Sequence, residues 1–317
     1  MSINRLIDKV DWKIIDALIA NARSPISIIA KKALISKQAC FYRVKRLEAD
    51  GIITAYKTKI VSAKFGLSTY AVYIRLSNIT IAQEEIFLSK IALLRNIRWL
   101  VKTIGRWDLM LALSSENATQ FHLQLNEILA ILGQHLLDYE TAMITSTTDL
   151  WRIKVESLKE LQESGMEKMN LDTIDQKILV LLEHNSKIPL IQISPLIDMT
   201  AEASAYRIKQ LVKKGFIHSF TISVNREKLG LGAYQVQCEL NPGVDEKAAI
   251  AKMRAIKETG YVAKTIGKWN FEVWLYCKDS VEFRDKFFAI RTVLGDALRD
   301  YQVSIAVKKY VSKTYNG

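Results

Sequence analysis

The chain has 317 residues, 49% hydrophobic and 25% charged, a globular balance with room for two ordinary domains or four small ones. Four prolines and 13 glycines exclude long low-complexity linkers, no apolar run reaches the ~18 residues that span a bilayer, and the charged start does not read as a signal peptide. Lysine and arginine total 45 against 33 aspartate and glutamate, and the resulting +12 favours a polyanionic partner, nucleic acid before a membrane surface.

In chain order, Ile14, Ile15, Leu18 and Ile19 recur at helical spacing and predict a first helix over 10–20. Asn21-Ala22-Arg23-Ser24-Pro25 breaks it, and a short second helix follows over 26–33. Leu34-Ile35-Ser36 reads as a turn ending in the N-cap of a third helix over 37–49, which Asp50-Gly51 stops. Beyond Gly51 the period changes to strands at 53–61 and 70–76, a helix at 83–94, strands at 98–104 and 107–113, a helix at 117–132 and a strand at 137–145. Val155, Leu158 and Leu161 at helical spacing predict a helical linker over 151–170.

The same series then repeats. At a fixed offset, Asp11 to Leu76 aligns with Asp175 to Leu240 with about 20 identities in 66 positions. After two residues drop out, Lys102-Thr103-Ile104-Gly105-Arg106-Trp107-Asp108 matches Lys264-Thr265-Ile266-Gly267-Lys268-Trp269-Asn270. The chain is a tandem duplication. The predicted class is α+β: two copies of a trihelical helix-turn-helix domain plus a ferredoxin-like βαββαβ sandwich. The expected domains are 1–54 and 171–218 (helical), 55–150 and 219–317 (α+β), and the linker 151–170.

On the third helix Cys40, Val44 and Leu47 share the inward face, leaving Gln38, Tyr42, Lys45 and Arg46 outward. That set suits DNA: glutamine pairs bidentately with adenine, lysine and arginine reach guanine or phosphate, and tyrosine donates to phosphate or stacks. Ser36 caps the helix and leaves its positive end free for a phosphate. The copies differ, with 12 basic and 5 acidic residues over 1–60 against 8 and 6 over 171–230. Glu202, Tyr206, Lys209 and Gln210 replace the first outward set, so the first helical domain is expected to carry most of the affinity.

Ser36 to Ile53, from the N-cap through the third helix and its turn, resembles the recognition helix of the Lrp/AsnC (feast/famine) transcriptional regulators. Asp11-Trp12-Lys13-Ile14-Ile15 looks like that family's first helix, and Gly105-Arg106-Trp107-Asp108-Leu109 is similar to the glycine-aromatic-aspartate signature of its effector domain. The resemblance runs over nearly the whole chain, twice, whereas the ordinary member carries one copy. It implies sequence-specific binding of double-stranded DNA, with Ser36, Lys37, Gln38, Tyr42, Arg43, Lys45 and Arg46, and Tyr206, Arg207 and Lys209, as candidates. It implies homo-oligomers through the α+β domain, here built from pseudo-dimeric chains. It also implies an amino-acid effector, for which Gly105, Asp108, Gly267 and Asn270 are the candidates. Taken alone, Gly-x-Trp-Asp between two strands is a hairpin turn needing a flexible residue and a polar cap, and Asn270 in place of Asp108 alters any recognition of an ammonium.

Cys40, Cys238 and Cys277 are too dispersed for a disulfide framework or a zinc site. No phosphate loop, metal-ligand cluster or nucleophile elbow appears, so no catalytic residue, metal or cofactor is expected and a cytoplasmic regulator is. Two alternatives share the features read so far. Haem-biosynthetic siroheme decarboxylases resemble this architecture, but none of His122, His135, His184 and His218 recurs in the other copy. An architectural DNA-compacting protein would also use two DNA-binding domains per chain.

Overall fold

The structure, a computed structural model, describes residues 7–152, 160–253, 256 and 259–312. The first copy folds as α1 (Lys9–Ala20), α2 (Ile26–Ala33), α3 (Lys37–Ala49), β1 (Ile53–Ile60), β2 (Ser68–Leu76), α4 (Ile81–Ala92), β3 (Ile97–Gly105), β4 (Leu109–Ser115), α5 (Ala118–Leu132) and β5 (Leu136–Asp149). A short strand, β6 (Glu160–Gln162), comes next. The second copy is α6 (Thr173–His184), α7 (Leu190–Leu196), α8 (Ala201–Lys213), β7 (Ile217–Val224), β8 (Gly232–Leu240), α9 (Glu246–Met253), β9 (Thr259–Ile266), β10 (Phe271–Cys277), α10 (Ser280–Leu294) and β11 (Leu298–Ser312).

These elements sort by type and not by copy. One compact unit takes the helical part of both copies, up to residue 61 and again 170–231; the other takes both α+β parts. The strands β1 and β7 thus fall with the helical unit, whose segments run to residues 61 and 231. The reason is pairing: β1 is hydrogen-bonded to β7, and α6 packs on β1 while α1 packs on β7.

In the helical unit, Asp8 and Asp11 cap α1 reciprocally, the Asp8 carboxylate accepting from the Asp11 N–H at 2.8 Å and Asp11 accepting from the Asp8 N–H at 3.0 Å. Ile14, Ile15 and Leu18 of α1 are buried with Ile29, Cys40, Val44 and Leu47, as are Ile178, Leu179, Leu182, Ile208 and Leu211 in the second copy. The turn into each third helix is made by a non-glycine residue in the left-handed region, Leu34 at φ 60° and Asp198, its equivalent, at φ 54°. Lys57 lies opposite Thr221 across the antiparallel β1–β7 pair. Thr221 is the residue equivalent to Lys57 in the other copy, so a pseudo-twofold axis passes through this pair. Contacts obey it: Ala22 N–H donates to the Phe220 carbonyl and Ser186 N–H to the Tyr56 carbonyl, both at 3.0 Å. The Arg23 guanidinium lies 5.5 Å from the Phe220 ring centroid, and the Lys187 ammonium 4.5 Å from that of Tyr56.

In the other unit each copy forms a βαββαβ layer with its helices on one face. Val72, Ile74, Leu100, Leu111 and Leu113 are buried against α4 and α5, and Val236, Cys238, Phe271, Val273 and Leu275 against α9 and α10. Eight strands close a circuit in the order β2-β4-β3-β11-β8-β10-β9-β5, with β5 returning to β2. The two α+β halves thus pair within one chain, along two equivalent antiparallel seams, β3–β11 and β5–β9. Closure removes the open edges that an isolated half would expose.

The linker departs from the expected helix. Val155 and Leu158 lie outside the described residues, but Glu160–Gln162 is β6, paired with Ser146–Thr148 of β5. Leu161 is buried, and Glu163 is drawn into the unit by a buried ion pair to Arg98 and a 3.1 Å hydrogen bond from Thr69 Oγ1. Sheet pairing and this buried pair outweigh a three-residue apolar spacing that suited a helix.

Candidate nucleic-acid interface

The third helix presents the surface its sequence implies. Ser36 Oγ accepts from the Ala39 N–H at 3.1 Å, a cap that stabilises a helix by ~1 kcal/mol. Cys40, Val44 and Leu47 are buried beneath it, and burial pushes the Cys40 thiol up. Lys37, Gln38, Phe41, Tyr42, Lys45 and Arg46 face outward, with Tyr42 63% exposed. Phe41 stands edge-on to Tyr42, their ring centroids 5.9 Å apart. With Ile26, Lys37 and Gln38 these two rings line a shallow groove of about 420 Å³. Phe41 is a member of this surface that a search for polar groups missed; its helical position between Gln38 and Tyr42 was the available signal.

The basic residues do different work. Arg43 is turned back to the N-terminus of α1, its guanidinium donating to Asp8 at 2.7 Å and to buried Asp11 at 2.8 Å. The Asp11 N–H and the Arg43 guanidinium hold the Asp8 carboxyl down at about 2, while the two carboxylates raise the Arg43 pKa. Arg207 repeats this brace on Asp172 and Asp175 at 2.7 and 3.0 Å. The matched arginines Arg43 and Arg207 therefore clamp third helix to first, a structural employment that their place in the candidate set did not anticipate. Arg46 also donates to Asp11 yet keeps nearly half its side chain exposed, and Lys45 bonds Glu48 at 2.8 Å across a solvated face. Lys45 can exchange that partner for a phosphate at little cost, because exposed pairs are worth under ~1 kcal/mol.

On α8, Thr200 caps the helix through the Ala203 N–H at 3.2 Å, and Tyr206 is exposed to the same 63% as Tyr42. Glu202 and Lys209 are exposed and Gln210 is half-buried. Its positioning helix α7 contains Pro195 where α2 has Lys31, so the second copy keeps the geometry with a less basic approach.

The winged helix-turn-helix DNA-binding family matches residues 7–54 and again 171–218. An uncharacterized HTH-type transcriptional regulator of Pyrococcus horikoshii is 32% identical over 117 residues, 36% of this chain and 77% of the relative. The chain belongs to the Lrp/AsnC family of regulators. The HTH-type transcriptional regulator LysM of Saccharolobus solfataricus is 29% identical over 130 residues, 41% of this chain and 89% of LysM. Each relative spans roughly one copy, so this is a tandem-duplicated Lrp/AsnC chain. Over its full length the fold is similar to that of the siroheme decarboxylase NirDL, with a TM-score of 0.64 at 12% identity over 96% of this chain and 93% of that one. That is a likeness of fold alone.

The Lrp/AsnC signature residues of the α+β unit are occupied by architecture. Gly105 has φ +144°, and a Cβ there would sit 2.8 Å from the Val303 carbonyl oxygen across the β3–β11 seam. At the other seam a Cβ on Gly267 would meet the Ala142 Cβ at 3.2 Å. Asp108 Oδ2 accepts from the Leu76 N–H at 2.7 Å, tying the β3–β4 hairpin to the end of β2. Asn270 Oδ1 accepts from the Leu240 N–H at the same 2.7 Å, and its Nδ2 donates to Glu246 at 2.9 Å, so the amide preserves the aspartate's role.

Sequence reading passed over a polar set inside the strand circuit. Gln235, Gln237 and Glu272 alternate with the residues facing α9 and α10, and all three are buried. Their equivalents are Ala71, Tyr73 and Met110. Gln235 Nε2 donates to Glu272 at 2.6 Å, whereas both amide atoms of Gln237 and the Tyr73 hydroxyl have no hydrogen-bond partner among the described residues. An acid on an otherwise apolar strand was the missed signal.

Proposed function

We propose that the chain is a sequence-specific DNA-binding transcriptional regulator acting in the cytoplasm, without catalytic activity. The observation that carries this reading is the pair of capped third helices, each with an exposed tyrosine and lysine, held on one pseudo-twofold. Ser36, Lys37, Gln38, Tyr42, Lys45 and Arg46 make the main DNA surface, with Tyr206 and Lys209 in the second copy; Arg43 and Arg207 position the helices. The relatives' names support a regulator over an enzyme. Of the four histidines, His184 and His218 lie on α6 and β7 of the helical unit, while His122 and His135 lie on and after α5 of the other.

Chains assemble further, through apolar groups left outside at equivalent positions: Ile104 and Ile266 are 63% and 64% exposed, and Tyr139 and Tyr301 are also open. An amino acid is the effector class that the family suggests, with Gly105, Asp108, Gly267 and Asn270 as its markers.

The test is binding of the full chain to a fixed duplex, with random-sequence DNA as competitor and salt varied. A preference that survives excess competitor, with affinity falling steeply with salt, supports a regulator. Loss of all preference identifies a compacting protein, and absence of DNA binding overturns the reading.

A further inference from the structure

The two third helices carry different outward residues, although the fold arranges them as a symmetric pair. Lys57 opposite its own equivalent Thr221 relates α3 to α8 by an axis across the β1–β7 pair. A twofold across a helix pair presents the two recognition surfaces in opposite directions, which in DNA terms means half-sites on opposite strands. In a dimer of identical chains the halves must match. Here they need not, because both surfaces belong to one chain.

The differences fall where base edges are read. In helix-turn-helix proteins the N-terminal residues of the recognition helix contact bases. In α3 these are Lys37 and Gln38, both exposed; in α8 they are Ala201 and Glu202, with Glu202 exposed. One turn on, exposed Phe41 is replaced by Ala205, while Tyr42 and Lys45 keep their counterparts Tyr206 and Lys209. Tyr42 and Lys45, fit to touch phosphate, are thus kept, while Arg46 gives way to Gln210 and the N-terminal residues fit to touch bases are changed. A glutamine offers a donor and an acceptor that match the N6 and N7 edge of adenine; a glutamate offers only acceptors, and the cytosine N4 amino group is the matching donor.

Resting on the DNA-binding reading above, we infer that the chain recognises a non-palindromic duplex composed of two unlike, oppositely oriented half-sites, Gln38 reading adenine in one and Glu202 reading cytosine at the equivalent position of the other. The chain therefore binds in one orientation and imposes a direction on its site. A glutamate in the groove costs affinity wherever no cytosine amino group meets it, so the second helix acts as a filter on sequence.

The test is selection of bound duplexes from random DNA by the full chain and by the variants Glu202→Gln and Gln38→Glu. The expected parent site has two dissimilar halves on opposite strands. Glu202→Gln exchanges cytosine for adenine at one position of one half and weakens the parent site by roughly five- to 150-fold, leaving the other half unchanged. Gln38→Glu does the reverse in the first half and guards against a fault of one variant. A perfect palindrome, a single half-site, or a change in both halves from either variant would overturn the inference while leaving DNA binding intact. Failure to enrich any sequence would instead overturn the sequence-specific regulator reading on which the inference rests.

Discussion

Glu272 gives a stability signature that can be worked out from its surroundings. Burial inside the strand circuit pushes its carboxyl up to about 8, a rise partly offset by the Trp274 indole beside it. The unfolded chain releases this proton near the ordinary carboxyl value, 4.5, whereas the folded chain keeps it until about pH 8. Stability from this group is thus fully present below pH 4.5, declines as pH rises through the window, and levels off above 8. The difference amounts to about 5 kcal/mol across the window, or on the order of 10 °C in the midpoint of a unit this size. Glu272→Gln keeps an acceptor for Gln235 Nε2 and removes the titration; Glu272→Met restores the residue type of its equivalent, Met110. Calorimetric melting at pH 5, 7 and 9 should show the parent losing stability with pH and both variants flat. At pH 9 both variants should melt above the parent. Parallel pH profiles for parent and Glu272→Gln would refute the reasoning.

Three further outcomes follow from the same geometry. Replacing Lys45 and Arg46 together by alanine should lower the salt slope of DNA binding by roughly 1–2, more than the Lys209 and Gln210 pair does. Because Arg46 also meets buried Asp11, the first double variant should melt somewhat lower, and Lys45→Ala alone separates the two effects in salt titrations. Gly105→Ala should destabilise by about 1–3 kcal/mol and Gly267→Ala by less, as read from denaturant midpoints, since only Gly105 combines positive φ with a 2.8 Å clash. Asp108→Asn should melt like the parent, while Asp108→Ala should lose about 1–2 kcal/mol by stranding the Leu76 N–H. If Asp108 also holds an effector ammonium, Asp108→Asn should abolish the effect of amino acids on DNA binding without shifting that melting point.

Local elements were legible because their signals are local. The third helix matches its expected span because Ser36 caps it and Asp50-Gly51 ends it, and the inward set of Cys40, Val44 and Leu47 follows from helical period alone. The repeat was legible by alignment. Partnership was not. Nothing within residues 53–60 says that this strand pairs with one 164 positions away instead of joining the next sheet, and that pairing draws β1 and β7 into the helical unit. Arg43 looked like its neighbours because the sequence does not show Asp8 and Asp11 folding back beneath it. Glu160–Gln162 took its strand form from β5, a tertiary effect that outweighs a weak periodic pattern.

The pattern of divergence between the copies separates architecture from selectivity. Positions that keep both copies alike hold shape: the Arg43 and Arg207 clamps, the left-handed turns at Leu34 and Asp198, and the backbone ties made by Asp108 and Asn270. A change at any of these would distort a contact on which each fold depends. Positions that differ, Gln38 against Glu202 and Met110 against Glu272, lie either on a solvated face or inside the circuit where only one half contributes the polar set. In a dimer of identical chains every such change would appear twice, and a second buried acid across from the first would add its own desolvation cost and repel the first if both ionised. Covalent linkage removes that doubling. One chain can then carry one acid within its sheet circuit and one acidic reading helix, which a symmetric assembly of single copies cannot do.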